Sequence, residues 1–217
     1  MPKIITFGTE EYNSAMCRLR ASAQDYAEII TYNEIDIVDL IEIYPEHFLN
    51  SKGFGWWLWK SYLITNTLDQ MQENDYLIYL DATIEVLKNP LELIDNKKDI
   101  ILFNNGQSHH EYCKSECYYG MKIYSPLDQL QANAAIQIYK NTEYTKLFLL
   151  DYFLACANLM LVNDEYDNSI QISKFKEHRH DQSILTNLAI EAGIELKSSP
   201  CQWGSKGSAY FNHHRTI

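Results

Sequence analysis

The chain has 217 residues and a net charge of −11 at neutral pH, which argues against a nucleic-acid surface, because phosphate backbones are held by clustered Lys and Arg. With 46% hydrophobic and 22% charged residues it has an ordinary globular composition, and its length suits a single domain. No apolar run is long enough to cross a membrane. Nothing near the start resembles a signal peptide, and five cysteines, an odd number, agree with reduced thiols and a cytoplasmic protein.

Residues 3–7 form an apolar run closed by Gly8 and read as a buried first strand. A helix follows, with Leu19, Ala23, Tyr26, Ala27 and Ile30 on one face. Residues 35–48 are mixed, irregular or helical. A second helix is expected over 56–71 and a second strand over 76–80. Residues 99–103 read as a third strand, followed by the Asn104-Asn105-Gly106 turn signal. A fourth strand covers 134–139. Residues 142–161 read as a core helix, with Leu147, Leu150, Leu154 and Leu161 at helical spacing. The last helix, 181–192, is closed by Gly193 and followed by a short strand at 194–196. Segments 106–127 and 162–177 read as long loops, which in compact domains are often functional. Strands alternating with helices predict one α/β domain over 1–217, with a mixed, mostly parallel central sheet flanked by helices.

Two segments carry most of the chemical information. Asp75-Tyr76-Leu77-Ile78-Tyr79-Leu80-Asp81-Ala82 is an apolar strand that ends in a carboxylate. Ligand crevices of open α/β sheets lie at the carboxyl ends of strands, so Asp81 is expected to face one rather than merely cap a turn. Gly53-Phe54-Gly55-Trp56-Trp57-Leu58-Trp59-Lys60 sets three indoles and an ammonium at a helix start, after two glycines that let the backbone approach a ligand. One of the indoles is expected to face the ligand. Lys60 either neutralises a phosphate or lies solvated along Trp56 or Trp57. Further on, His178-Arg179-His180-Asp181 is too polar for a core segment. Asp181, at the start of a helix whose amides favour its ionised form, suits an N-cap and a general base alike. Arg179 can reach a phosphate or pair with a carboxylate. An anionic, ring-containing substrate such as a nucleotide sugar fits these segments.

The Gly55–Lys60 segment, the Tyr-Leu-Asp-Ala at 79–82 and the Arg-His-Asp-Gln-Ser at 179–183, in that order and spacing, resemble a group of small GT-A-type glycosyltransferases of bacterial surface-polysaccharide systems and large DNA viruses. The resemblance spans nearly the whole chain. It implies a GT-A-like fold and transfer of a sugar from a nucleoside diphosphate sugar, UDP foremost, to a hydroxyl of a glycan or glycoprotein, with inversion. A viral enzyme that glycosylates a capsid protein in the host cytoplasm would be one such member. By the same resemblance, Asp81 would hold Mn²⁺ or Mg²⁺ and Asp181 would be the base. Thr6, Phe7, Gly8, Thr9 and Tyr12 would receive the base and ribose, and Gly55, Trp56, Lys60, Ala82, Ala134 and Arg179 would complete the donor site. Two positions depart from the pattern. Ser61 stands where the family has Pro, and Thr83 stands where many GT-A enzymes have the second carboxylate of Asp-x-Asp.

Thr83 also fits an alternative: a nucleotide-sugar or glycan binding module that keeps the fold without catalysis. A Rossmann dehydrogenase is excluded, since no Gly-x-Gly-x-x-Gly follows the first strand. A glycosidase is not excluded by carboxylates alone, but has no need of diphosphate-binding cations. His109, His110, Cys113 and Cys117 match no common structural zinc spacing. Their loop, with Lys114 at its tip, is expected to shape the acceptor site. His213-His214-Arg215 is expected to fold back over the diphosphate and supply the charge that Thr83 lacks.

Overall fold

The computed structural model describes residues 2–50, 52–123, 128–202 and 209–214. In chain order the strands are β1 (Lys3–Phe7), β2 (Glu28–Tyr32), β3 (Tyr76–Leu80), β4 (Ile84–Val86), β5 (Ile100–Ser108), β6 (Leu130–Lys140) and β7 (Phe211–His213). The helices are α1 (Asn13–Ala23), α2 (Val38–Ile43), the single turn α3 (Gly53–Trp56), α4 (Leu58–Asp69), α5 (Ser115–Gly120), α6 (Glu143–Cys156), α7 (Leu159–Val162) and α8 (His180–Glu191).

Five strands form the main sheet in the order β2-β1-β3-β6-β5, and β4 pairs with β7 in a small second sheet. β1 runs parallel to β2 and β3, while β6 is antiparallel to both β3 and β5. Four strands therefore share one direction, and the mixed, mostly parallel sheet is as expected. β3 is buried along its whole length, as a central strand covered on both faces must be. Ile5, Phe7, Leu77 and Tyr79 face a core shared with α4, α6 and α8. Ile4, Ile78 and Leu80 alternate to the other side, against Leu19 and Ala23 of α1, Ile84 and Val86 of β4 and Phe211 of β7.

Several expected elements are corrected. The first helix ends at Ala23, and Ile30 lies in β2, whose Ile29-Ile30-Thr31 is a β-branched run suited to a strand. β5 does not stop at Asn104-Asn105-Gly106 but runs through it, with its register against β6 slipping on either side of Asn104. The turn signal there marks a bulge. Residues 194–196 form no strand, and a single bridge between Phe103 and Lys197 stands nearby. The helix expected over 142–161 breaks after Cys156, and Asn158 caps α7. Of its four expected core residues Leu161, beyond the break, is buried, and the other three lie on the outer face. Leu147, Leu150 and Leu154 are 55%, 47% and 54% exposed, while Phe148, Leu149, Tyr152 and Cys156 are buried. α6 carries two apolar stripes, and the one with the two aromatic rings faces the sheet. Among the described residues no helix is long and apolar enough to cross a membrane.

Candidate active site

A cleft of about 810 Å³ opens at the carboxyl ends of β1 and β3. One wall is Phe7, Gly8, Thr9, Glu10, Glu11 and Tyr12, the chain leaving β1. The aromatic turn adds Gly53, Phe54, Trp57 and Trp59, the Phe7 ring stacking on Trp59 at 4.1 Å. Asp81, Ala82, Thr83 and Glu34 complete the lining. Asp81 is fixed by its own backbone: its N–H donates to the Ala135 carbonyl at 3.0 Å, and its carbonyl accepts from Ile84 at 2.9 Å as the chain turns into β4.

Beneath the cleft lies a buried charge cluster. Lys60, in the first turn of α4, is 2% exposed. Its Nζ stands 2.9 Å from Asp181 Oδ2 and 3.3 Å from Asp81 Oδ1, and donates to the Ala134 carbonyl at 3.3 Å. Three acceptors match the three protons of an ammonium. The rings of Tyr79 and Trp59 lie 5.3 and 5.8 Å from it. Burial draws the Lys60 ammonium down, but Asp181 and Asp81 outweigh it, so the group titrates above its ordinary value and stays charged. The Tyr79 hydroxyl donates to Asp81 Oδ1 at 2.6 Å, and the Tyr152 hydroxyl to Asp181 Oδ2 at 3.3 Å. Burial, with Asp81 beside one hydroxyl and Asp181 beside the other, raises both phenols well above their usual range and keeps them donors.

Lys60 reaches this position because the chain ahead of it turns left-handed. Gly53, Phe54, Gly55, Trp56 and Trp57 have φ of 58°, 45°, 86°, 57° and 61°. Trp56 N–H donates to the Lys52 carbonyl at 3.0 Å and Trp57 N–H to the Gly53 carbonyl at 3.2 Å, so α3 is one turn of left-handed helix. Such a conformation costs about 1–2 kcal/mol for each non-glycine residue. Both glycines are needed for space as well: a Cβ on Gly53 would lie 2.3 Å from the Trp57 ring, and one on Gly55 2.6 Å from the Phe48 ring.

The structure thus gathers most of the expected site residues. Phe7, Gly8, Thr9, Tyr12, Asp81 and Ala82 line the cleft, and Lys60, Ala134 and Asp181 meet below it. Others lie elsewhere. Asp181 is 4% exposed, outside the cleft lining, and it is not the N-cap; Arg179 holds that place without a side-chain cap. The Arg179 guanidinium points to Glu177 at 2.6 Å and over the Tyr112 ring at 5.0 Å. Trp56 faces His180 and Lys52, Gly55 lies against Phe48, and Thr6 is buried with its hydroxyl unpartnered. Lys114 is not at a loop tip. It is buried, and its Nζ donates to the Asn163 carbonyl at 2.8 Å, Asn163 Oδ1 at 2.7 Å and the Glu165 carbonyl at 2.9 Å. His214 N–H donates to the Thr83 carbonyl at 3.0 Å, so the chain after β7 does return beside Thr83. Its imidazole bonds Glu85 at 2.8 Å, and Arg215 lies outside the described residues. Glu34, Phe54 and the rim pair Glu10 and Glu11 were not anticipated. Glu34 follows β2, and with that strand read as helix its position at a strand end was hidden.

No family model and no curated protein sequence matches the chain. Solved structures do. Mouse xyloside xylosyltransferase 1, in its apo form, superposes with a TM-score of 0.53 at 10% identity, over 99% of this chain and 98% of that one. The chain has a GT-A glycosyltransferase fold. The apo WbbM bifunctional glycosyltransferase matches with a TM-score of 0.51 at 9% identity over 91% of this chain, which spans 38% of the WbbM chain.

Enzymes of the GT-A type commonly work with a divalent cation. Among the described residues no three His, Cys, Asp or Glu side chains converge on a ready-made cage. Asp81 offers the cleft a carboxylate with Thr83 two residues on, and Glu10, Glu11 and Glu34 are further carboxylates of its lining. Mg²⁺-like ions that accompany a diphosphate take one or two protein carboxylates and fill their shell with phosphate oxygens and water. Asp81 fits a cation of that kind.

Proposed function

We propose that the protein is a glycosyltransferase that moves a sugar from a nucleoside diphosphate sugar, with UDP as the nucleotide, to a hydroxyl of a glycan or glycoprotein. The observation that carries this reading is Asp81 at the end of β3, flanked by the β1 exit and the aromatic turn and backed by the Lys60 ammonium. The GT-A fold supports it, and a net charge of −11 favours a small donor over a nucleic acid.

In this reading the walls of the cleft divide the donor between them. Thr9, Tyr12 and Glu34 bind the base and ribose, and Phe54 and Trp57 give the sugar end a flat apolar wall. Asp81 would hold a Mn²⁺ or Mg²⁺ ion brought by the diphosphate, whose charge stabilises the departing UDP. Lys60 adds a fixed positive charge below the same carboxylate, in a buried setting where a charge acts strongly. Asp181 keeps that ammonium in place. Asp181 lies outside the cleft lining and Lys60 holds both it and Asp81, so the base of an inverting transfer would be one of the remaining cleft carboxylates: Glu10, Glu11 or Glu34.

The test is UDP release from a panel of UDP-sugars supplied with Mn²⁺ and a glycan acceptor. The reading requires release with at least one sugar and its loss in Asp81→Asn. Release that survives Asp81→Asn would remove Asp81 from the reaction.

A further inference from the structure

Four side chains from three separate segments close a ring of contacts behind the aromatic wall. The His180 imidazole lies against two indoles at once, with ring centroids 5.3 Å from Trp56 and 5.0 Å from Trp57 and interplanar angles of 26° and 37°. Its Nε2 bonds Asp164 Oδ1 at 2.9 Å. The other oxygen of Asp164 pairs with Lys52 Nζ at 2.5 Å. Lys52 Nζ in turn sits 5.9 Å from the centre of the Trp56 ring. The ring of contacts therefore begins just before the left-handed turn, crosses to the loop after α7, passes through the first residue of α8 and ends on the turn itself.

Two features say that this arrangement is more than filler. His180 also has a positive φ, 49°, so left-handed residues meet on both sides of the contact. Strain of this kind persists only where its surroundings over-determine it, and it clusters at functional sites. Secondly, the adjacent residues His180 and Asp181 act on the two ends of one segment. Asp181 holds Lys60, while His180 holds Trp56 and Trp57, of which Trp57 lines the cleft.

We infer that His180 is a positioning residue for the donor site: its imidazole, tied through Asp164 to Lys52, holds the left-handed turn so that Trp57 stands in the cleft wall. This rests on the proposed function for the identity of the ligand, and on the structure alone for the position of Trp57. The neighbouring His178, with ring centroid 5.4 Å from that of His180, is occupied elsewhere: it bonds the Leu161 carbonyl at 2.8 Å and the Lys114 N–H at 3.3 Å.

Two readouts on the intact chain test it. The first is indole emission without ligand. In a Trp56→Phe background, where the second indole against the imidazole is silent, His180→Ala is expected to change the emission, and that change is expected to vanish when both proteins also carry Trp57→Phe. An emission change that survives Trp57→Phe, or no change at all, overturns the inference. The second is binding of UDP with Mn²⁺ by calorimetry. His180→Ala is expected to weaken binding about tenfold, the scale of one lost aromatic contact, and His180→Phe, which keeps the ring but cannot bond Asp164, to recover only part of it. A folded His180→Ala protein with wild-type affinity overturns the inference. Should His180→Ala not fold, Asp164→Ala replaces it: weaker UDP binding than wild type supports the tie, and equal binding overturns it. A wild-type chain that binds no nucleoside diphosphate removes the functional reading, and the emission experiment then decides the role of His180 by itself.

Discussion

Asp181 Oδ2 lies 2.9 Å from Lys60 Nζ, so the carboxylate that leads the last helix is spent on the lysine that leads α4. Two carboxylates hold that one ammonium, each also accepting from a phenol, and one of them, Asp81, continues into the cleft. The cluster fixes one buried ammonium beside the cleft, with its charge offset by the two carboxylates.

Separating the two partners should therefore affect binding as well as turnover. Removing one member of a buried pair leaves an uncompensated charge, at a cost of about 3–5 kcal/mol. Lys60→Met is expected to fall in that range, and Asp181→Asn toward its lower end because Asp81 and the Ala134 carbonyl still serve the ammonium. Urea unfolding gives the stability and calorimetry the affinity for UDP. Asp181→Asn should weaken UDP binding; unchanged affinity with lost turnover would return Asp181 to the role of base.

The left-handed turn makes its own prediction. Gly53→Ala is expected to lower stability by about 1–3 kcal/mol through a strained backbone and a ring forced to move. Gly106→Ala is the control. Its φ of 77° is equally unfavourable, but a Cβ there meets nothing within 4 Å. If both variants shift the urea midpoint equally, the contact of Gly53 with the Trp57 ring contributes nothing.

Acid should loosen the fold from the inside. Burial, the largest influence, holds the His109 imidazole down to about 4, against the pull of its bond to Asn187 at 2.8 Å. His178 and His180 are lowered in the same sense, also by burial. Below pH 6.5 the unfolded chain takes up protons that the folded chain refuses. Stability is thus full above pH 6.5, falls as pH drops toward 4, and loses about 3 kcal/mol through His109 alone. His109→Gln, which can still donate to Asn187, should flatten that slope by about one proton in unfolding measured from pH 7.5 to 4.5. An unchanged slope would mean that His109 is not buried neutral.

Much of this was legible in the sequence because the signals were local. Lys3–Phe7 and Tyr76–Leu80 are continuous apolar runs with clear ends, and a carboxylate directly after the second one fixes Asp81 at the mouth of the sheet. The Gly53-Phe54-Gly55 spacing reads as room for a ligand, whereas the structure uses that room for a left-handed turn packed on the Trp57 and Phe48 rings. What stayed hidden depended on choices between equals. Glu28–Tyr32 continues the helical spacing of Leu19 and Ala23, and becomes a strand because it pairs with β1. On α6 two apolar stripes compete, and the sequence does not say which one meets the sheet. Asp181 has the features of a cap and of a base, yet its position is decided by a lysine distant in sequence. β4 and β7 are three residues each and stabilise one another across most of the chain length, beyond the reach of any local pattern.

The most direct test of the central claim is calorimetric titration of UDP, with Mn²⁺ present, into the wild type and into Asp81→Ala. The account predicts binding to the wild type and at least tenfold weaker binding to the variant, a difference of about 1.4 kcal/mol. Equal affinities, with the variant folded, would contradict the placement of the donor over Asp81 and Lys60.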